Sequence, residues 1–475
     1  MAAPTDFQTQ LFLNNKYVDA KSKETLSLVN PFNGEPISAA VQVAGQEDID
    51  LAVSYAQAAF KSGPWSTYTG AQRAVYLNKL ADLIDANAHK LAALDSLCMG
   101  APIAVAENFV VPQAAVAFRY YAGLADKIEG DSFAAEDGTY RIVRHEPLGV
   151  CAGIAPWNVP MIYVGWKIAP ALAAGNTAIF KASESSPLAT LYLGKLVIEA
   201  GFPPGVIQFV NGGGKTGALL ASHMGIAKIS FTGSTSVGKI VQKLATESNM
   251  KKVTLELGGK SAALVFEDAN IPNAVAGTAD GFLLNSGQMC LATSRLLVQE
   301  SIATPFIEAV KARFLKAASK LGSDPLSPTT TYGPMANKAQ FDREGGALAI
   351  GGASNGNNGL FIEPTVFVNP DKNSRIYKEE IFGPVLSILT FKTEEEALEL
   401  ANDTNTGLSA GLYTSDLNRA LRVSAKLESG NVAINSLHLP AVNVPFGGWK
   451  ESGSGQELGR YGFQSYLKTK SVHIK

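Results

Sequence analysis

The chain has 475 residues, 46% of them hydrophobic and 17% charged. That is enough apolar material for about two or three buried domains, and it excludes a disordered chain. A formal net charge of −2 creates no field that would draw in nucleic acid or an anionic membrane, so neither is expected as a partner.

In chain order, "LFLNNKYVDA" opens as strand. "DIDLAVSYAQAAFKSG" and "AQRAVYLNKLADLIDANAHKLAALDSLCMG" repeat apolar residues at three- and four-residue steps, which predicts helices, the second ending at Gly100. A further helix is predicted over "AVAENFVVPQAAVAFRYYAGLADKI", with Pro112 as a kink or break. "GDSFAAEDGTYRIVRHEPLG" reads as polar strands around a turn. The apolar run from Val150 to Gly175 is broken by Pro156, Pro160, Pro170, Asn158 and Lys167, so it reads as strand, loop and helix and not as a membrane span.

From there the pattern alternates. "NTAIFK", "GVIQFV", "AKISFT" and "SAALVF" are strand-like, and "PLATLYLGKLVIEAG" and "SVGKIVQKLATES" between them are helical. This rhythm predicts an α/β fold with mainly parallel sheets, a second series beginning near Ser261 and running past "PVLSILTF". "GGASNGNNG" (Gly351 to Gly359) reads as a flexible loop. The segment "MAAPTDFQTQ" has no targeting pattern and "KTKSVHIK" no lipidation or address signal, so a cytoplasmic location is expected.

Three cysteines, Cys98, Cys151 and Cys290, are odd in number and far apart, which favours free thiols in a reducing compartment. There is no Cys-x-x-Cys and no His/Cys cluster, so no metal is expected. Cys98 on a helix and Cys151 on a strand read as core. Cys290, in "LLNSGQMCLATSR", sits on a turn leading out of a helix, where its sulfur could be accessible. Most free cysteines are small buried hydrophobes, and none of the five histidines is near in sequence, so a Cys–His pair is poorly supported.

Three other stretches could carry chemistry. "ISFTGSTSVGKIV" runs from strand through Gly233 and Ser234 into a helix containing Gly238, a place where free N–H groups and the helix dipole suit a pyrophosphate; a tight turn without ligand reads equally well. In "FKASES", Lys181 and Glu184 follow a buried strand, where nucleotide riboses sit in open α/β sheets and where a carboxylate would repel the extra phosphate of NADP; the alternative is a solvated ion pair. In "VTLELGGKSAAL", Glu256 lies between apolar runs, so it either pairs with a cation or has its pKa raised as a general base would.

Taken together, "PWNVP", "FKASE", "FTGSTSVG", "LELGGKS", "NSGQMC", "EEIFGPV" and "PFGGWKESGSGQELGRYG" resemble the aldehyde dehydrogenase superfamily, NAD-dependent and non-acylating, over nearly the whole chain. The resemblance implies that Cys290 attacks an aldehyde to form a thiohemiacetal. Asn158 and the Cys290 N–H form an oxyanion hole. Hydride loss to NAD leaves a thioester, and Glu256 activates the water that hydrolyses it. Lys167 and Glu457 match a supporting proton relay.

For the cofactor, the resemblance implies Ile154, Ala155, Pro156, Trp157, Lys181, Ser183, Glu184, Gly213, Gly217, Phe231, Thr232, Gly233, Ser234, Val237, Leu257, Gly258, Glu380 and Phe382. Lys181 and Glu184 would hold the adenosine ribose, Ser234 the pyrophosphate and Glu380 the nicotinamide ribose. Val159, Tyr163, Trp166, Met289, Leu291, Pro440 and Phe446 would line an apolar aldehyde tunnel.

The implied architecture is aldehyde dehydrogenase-like: a Rossmann-type NAD-binding domain (1–126 and 147–255), a catalytic α/β domain (256–446) and a small β arm (127–146 and 457–475). The arm would pair subunits into a homodimer or homotetramer. Three departures stand out. The stretch after Phe341, near the expected ribose contacts Gln340 and Arg343, is about ten residues shorter than usual, roughly three helical turns. Val159 and Pro440 also replace residues that are often aromatic. A catalytically weak homologue or a thiol esterase are the competing readings; a CoA-acylating enzyme fits less well because Glu256 is present.

Overall fold

The computed structural model describes residues 4–345, 359–437 and 439–475. Its first sheet has eight strands, in the spatial order Lys16–Val18, Leu11–Leu13, Ile207–Val210, Thr177–Lys181, Val150–Ile154, Lys228–Thr232, Lys252–Glu256 and Gly453–Ser454. The five inner strands run parallel, and an antiparallel neighbour flanks each side. Successive strand residues face opposite sides, so Cys151, Ala178 and Phe180 enter one core while Ala152, Ile154 and Ile179 enter another. With both faces covered, Val150–Ile154 and Thr177–Lys181 are buried along their length, as their unbroken apolar character requires.

Chain order reverses beside Val150–Ile154. Thr177–Lys181 lies on one side of it and Lys228–Thr232 on the other. At such a switch point the connections leave in opposite directions and open a crevice above the carboxyl ends of the strands. Ile154, Lys181, Thr232 and Glu256 all end their strands there.

The second sheet is wholly parallel, with six strands in the order Thr365–Val368, Val385–Phe391, Arg295–Gln299, Ala262–Val265, Ser409–Tyr413 and Asn431–Ile434. The expected α/β class therefore holds for both sheets. A third, antiparallel sheet joins Ser132–Phe133, Tyr140–Pro147 and Leu467–Ile474. Between Gly453–Ser454 of the first sheet and Leu467–Ile474 of the third, the helix Gly459–Gln464 packs into the first core, with Phe463 stacked 6.2 Å from Tyr121. Among the described residues no helix is long and apolar enough to cross a membrane.

Local departures from the sequence reading have side-chain causes. The opening strand is a hairpin, Leu11–Leu13 with Lys16–Val18, turned by Asn14 and Asn15 at φ 52° and 58°, the left-handed pair of a tight β-turn. The long helix ending at Gly100 is two helices, Gly70–Ala86 and Ala88–Met99. Asn87 divides them: its Nδ2 donates to Leu83 O at 2.8 Å and its Oδ1 accepts from Tyr192 at 3.2 Å, drawing the side chain into competition with the backbone. Pro112 opens the helix Val111–Ala122 after a π-helical turn over Ala106–Val110, which places its missing N–H where no helical bond is needed. The loop residues 351–358 and most of the shortened stretch after Phe341 lie outside the described residues, as do the Arg343 side chain and His438.

Candidate active site

Cys290 follows a turn in which Asn285, Ser286 and Gly287 hold φ of 52°, 56° and 75°. Only glycine takes this region without steric cost, and at Gly287 a Cβ would also stand 2.3 Å from Gly383 O. The strain at the other two is held by buried hydrogen bonds. Asn285 Nδ2 donates to Asn158 O at 3.1 Å, and Ser286 Oγ donates to Gly333 O at 2.8 Å. Gln288 adds a third anchor, accepting from Ala336 N at 3.0 Å. The turn leaves Cys290 half-buried, whereas Cys98 and Cys151 are buried outright.

Asn158 lies against this turn. Its Nδ2 donates to Gln288 O at 3.0 Å and its Oδ1 accepts from Tyr163 Oη at 3.2 Å, which fixes the direction of the amide. Its other Nδ2 hydrogen meets only the Met289 sulfur, a weak acceptor 4.0 Å away, which a stronger acceptor could displace.

Glu256 ends its strand 2% exposed, and neither carboxylate oxygen has a hydrogen-bond partner among the described residues. Burial holds its pKa well above the usual carboxylate range; the Glu457 charge adds to this and Lys167 opposes it. Behind it, Lys167 Nζ donates to Glu457 Oε1 at 2.6 Å and to Ser230 Oγ at 3.0 Å, and Ser230 donates to the same Glu457 oxygen. Gly153 makes room for the lysine stem: a Cβ there would stand 3.1 Å from Lys167 Cβ.

Two cavities meet at the thiol. One is mostly apolar and is lined by all seven expected tunnel residues, Val159, Tyr163, Trp166, Met289, Leu291, Pro440 and Phe446, together with Glu256. The other is lined by Pro156, Trp157, Asn158, Thr232, Gly233, Ser234, Leu257, Gly258, Gln340, Glu380 and Phe382. Tyr163, Thr232, Leu257 and Cys290 border both. Burial pushes the Cys290 thiol up to about 12; the charges of Glu380 and Glu256 contribute, while the N–H groups of Leu291 and Cys290 pull the other way.

The polar cleft has the features of a dinucleotide seat. Gly233 lies over the Phe231 ring, 2.6 Å from where a Cβ would sit, so only glycine leaves the backbone open there. Ser234 caps the helix Thr235–Ser248 and accepts from Val237 N at 3.4 Å, beside free N–H groups of its first turn. Thr232 Oγ1 is buried without a partner among the described residues. Glu380 reaches across to accept from Gly259 N at 3.0 Å, over Gly258, where a Cβ would collide with its carboxylate. Trp157 and Phe382 meet edge to face at 5.5 Å, and Gln340 Nε2 donates to Ile381 O at 2.8 Å. These donors, acceptors and open glycines fit NAD.

The remaining expected cofactor residues are not on the wall of this cleft. Ala155 N donates to Lys181 O at 3.1 Å, continuing the strand ends beyond Ile154. Lys181 is buried, with Nζ 3.8 Å from Glu184 Oε2, and burial lowers its pKa. Ser183 accepts from Ser185 N at 3.2 Å. Glu184 is half exposed on a separate hollow shared with Cys98 and Lys338. Gly213 caps the helix Gly214–Ser222, whose Gly217 faces Ile154. Among the described residues no cluster of His, Cys, Asp and Glu could hold a metal ion.

Sequence reasoning missed Ser230 in the lysine–glutamate cluster, and Phe109, Gln113, Ile162, Leu408 and Leu439 in the apolar pocket. Phe109 and Gln113 are four residues apart and so share a helix face, but nothing local says that this face meets a cysteine far along the chain. Ser230 had a signal: it is the polar residue inside the apolar strand "KISFT", where a buried hydroxyl needs partners.

The sequence matches the Aldehyde dehydrogenase family over residues 17–472. An aldehyde dehydrogenase of Emericella nidulans is 44% identical over 476 residues, covering 98% of this chain and 95% of that protein. Human retinal dehydrogenase 2 is 44% identical over 479 residues, covering 98% and 92%. Among solved structures, a mutant P. syringae indole-3-acetaldehyde dehydrogenase in complex with NAD+ and IAA superposes with a TM-score of 0.94 at 36% identity, covering 99% of this chain and 97% of that one.

Proposed function

The chain belongs to the aldehyde dehydrogenase family, whose enzymes oxidise aldehydes with NAD, and we propose that it converts an aldehyde to the free carboxylic acid through a thioester on Cys290. The observation that carries this reading is the shared border of the two cavities at Cys290. An aldehyde entering along the apolar branch meets the sulfur with the cofactor cleft on the other side.

The Cys290 thiolate adds to the carbonyl carbon, and the carbonyl π pair moves to oxygen. Asn158 Nδ2 and the Cys290 N–H stabilise that oxyanion, and the amide loses little entropy because Gln288 O and Tyr163 already orient it. NAD bound in the cleft would supply the hydride acceptor, and the acyl group would then remain on the Cys290 sulfur. Glu256 removes a proton from the water that adds to the thioester; the C–S bond then breaks, and the sulfur leaves as thiolate. A desolvated carboxylate is a stronger base than a hydrated one, so the burial of Glu256 serves this step. Lys167 and Glu457 take the proton onward, a role supported by the influence of both charges on Glu256.

Lys181 and Glu184 hold the adenosine ribose, Ser234 and Gly233 the pyrophosphate, and Glu380 the nicotinamide ribose. Trp157, Gly213 and Phe382 shape the seat. Residues 1–126 and 147–255 form the NAD-binding unit, 256–446 the catalytic unit, and 127–146 with 457–475 an arm that pairs subunits into a dimer or tetramer. The exposed Phe133, Tyr140 and Ile474 on that arm support pairing, and three free cysteines support a cytoplasmic setting. The test is NADH formation from NAD and a panel of aliphatic, aromatic and amino-aldehydes. Acid product with stoichiometric NADH is expected; no NADH from any member overturns the reading.

A further inference from the structure

The apolar pocket has two polar groups that the chemistry at Cys290 does not use, the Trp166 indole N–H and the Gln113 amide, and only the amide can accept as well as donate. Gln113 lies on the helix Val111–Ala122, one turn beyond Phe109, and both border the pocket. The pocket's remaining polar side chains lie at the reacting end. Tyr163 Oη is spent on Asn158, and Tyr163 and Thr232 also border the cofactor cleft, as Cys290 does. Glu256 is the buried carboxyl beside them. Gln113 borders the apolar pocket alone and so belongs to the branch away from the cofactor. It is half-buried, and its amide has no hydrogen bond among the described residues.

That amide offers two donors and an acceptor to whatever fills the pocket. An alkyl chain would strip its water and return nothing, which costs binding, whereas a substrate atom able to hydrogen-bond would recover the loss. Among the described residues no cation lines the pocket, and its carboxyl, Glu256, belongs to the reacting end. A charged substituent would therefore be desolvated without a counter-ion.

Resting on the reading of this pocket as the aldehyde tunnel, we infer that Gln113 is a specificity-determining residue, and that the preferred substrate is an aldehyde with an apolar stem carrying a neutral hydrogen-bonding group remote from the carbonyl. Hydroxyl, ether, carbonyl and amide groups belong to this class. Leu439 and Pro440 border the same pocket, and the exposure of Leu439 puts the solvent-facing mouth there.

The test compares straight-chain alkanals of graded length with the same chains in which one distal methylene is replaced by an ether oxygen, so that each pair differs only in hydrogen bonding. The readout is the ratio of kcat/KM within each pair. The wild type is expected to favour the ether at one chain length by about three- to tenfold. Gln113→Met, similar in length and without the amide, is expected to bring that ratio to about one. Gln113→Asn is expected to keep a preference but move it to a chain one atom longer. A ratio near one at every length in the wild type, or an unchanged preference in Gln113→Met, overturns the inference. If neither member of any pair is oxidised, the aldehyde-tunnel reading falls with it.

Discussion

Glu256 and Cys290 border one apolar pocket, a buried acid beside a half-buried one, and the charge of the first is among the causes that push the thiol of the second up to about 12. The pair is poised against itself. Each group is reactive only when ionised, and ionising one disfavours ionising the other.

Glu256→Gln should therefore separate the two roles. Above the pH where Glu256 ionises, removing its charge eases thiolate formation, so Cys290 alkylation by iodoacetamide should speed up by about two- to fivefold. Steady-state aldehyde oxidation should meanwhile fall by about 10²-fold or more, as the loss of a general base implies. Alkylation that is unchanged or slower would contradict the electrostatic link; turnover that is unchanged would remove Glu256 as base.

The same substitution has a stability consequence with a definite sign. The folded-state pKa of Glu256 lies above its unfolded value, so between the two the native state binds a proton that the unfolded state has released. Stability then drops as pH climbs from the unfolded pKa towards the folded one, and below both values the group contributes nothing. Replacing the carboxyl by an amide should raise the Tm by about 1–3 °C more at pH 8 than at pH 4. An equal shift at both would show that the carboxyl is not held protonated by folding.

Cys290→Ser should abolish NADH formation and leave NAD binding within about twofold, because the cleft residues that hold the dinucleotide come from other segments. Titration of intrinsic fluorescence with NAD checks the second half. Binding lost together with turnover would mean that the thiol turn itself forms part of the seat.

Glu184 is half exposed and 3.8 Å from the buried Lys181 ammonium. Glu184→Ser should lift the repulsion of a ribose phosphate and raise kcat/KM for NADP relative to NAD by about tenfold. A ratio that does not move would assign cofactor choice elsewhere.

The strand Leu467–Ile474 pairs with Tyr140–Pro147 and keeps one free edge. Ending the chain at the buried Leu467 should lower the mass measured by sedimentation while the core stays folded by circular dichroism. An unchanged mass would place subunit contacts on another surface.

Much of this molecule is written in local chemistry. The strand–helix rhythm is legible because apolar periodicity and glycine placement act within a few residues, whereas the roles expected of Ser234, Cys290 and Glu256 rested on the family resemblance of their motifs. The break at Asn87 was not legible, since it depends on Tyr192 from another helix. Nor were Gln113 and Ser230: one meets the thiol pocket and the other joins Lys167 to Glu457 only through contacts between distant segments. Sequence thus determined which groups could react. Tertiary structure decided which of them share one desolvated space, because burial, and the proton affinities it shifts, is a property of everything packed around a side chain and not of its neighbours in the chain.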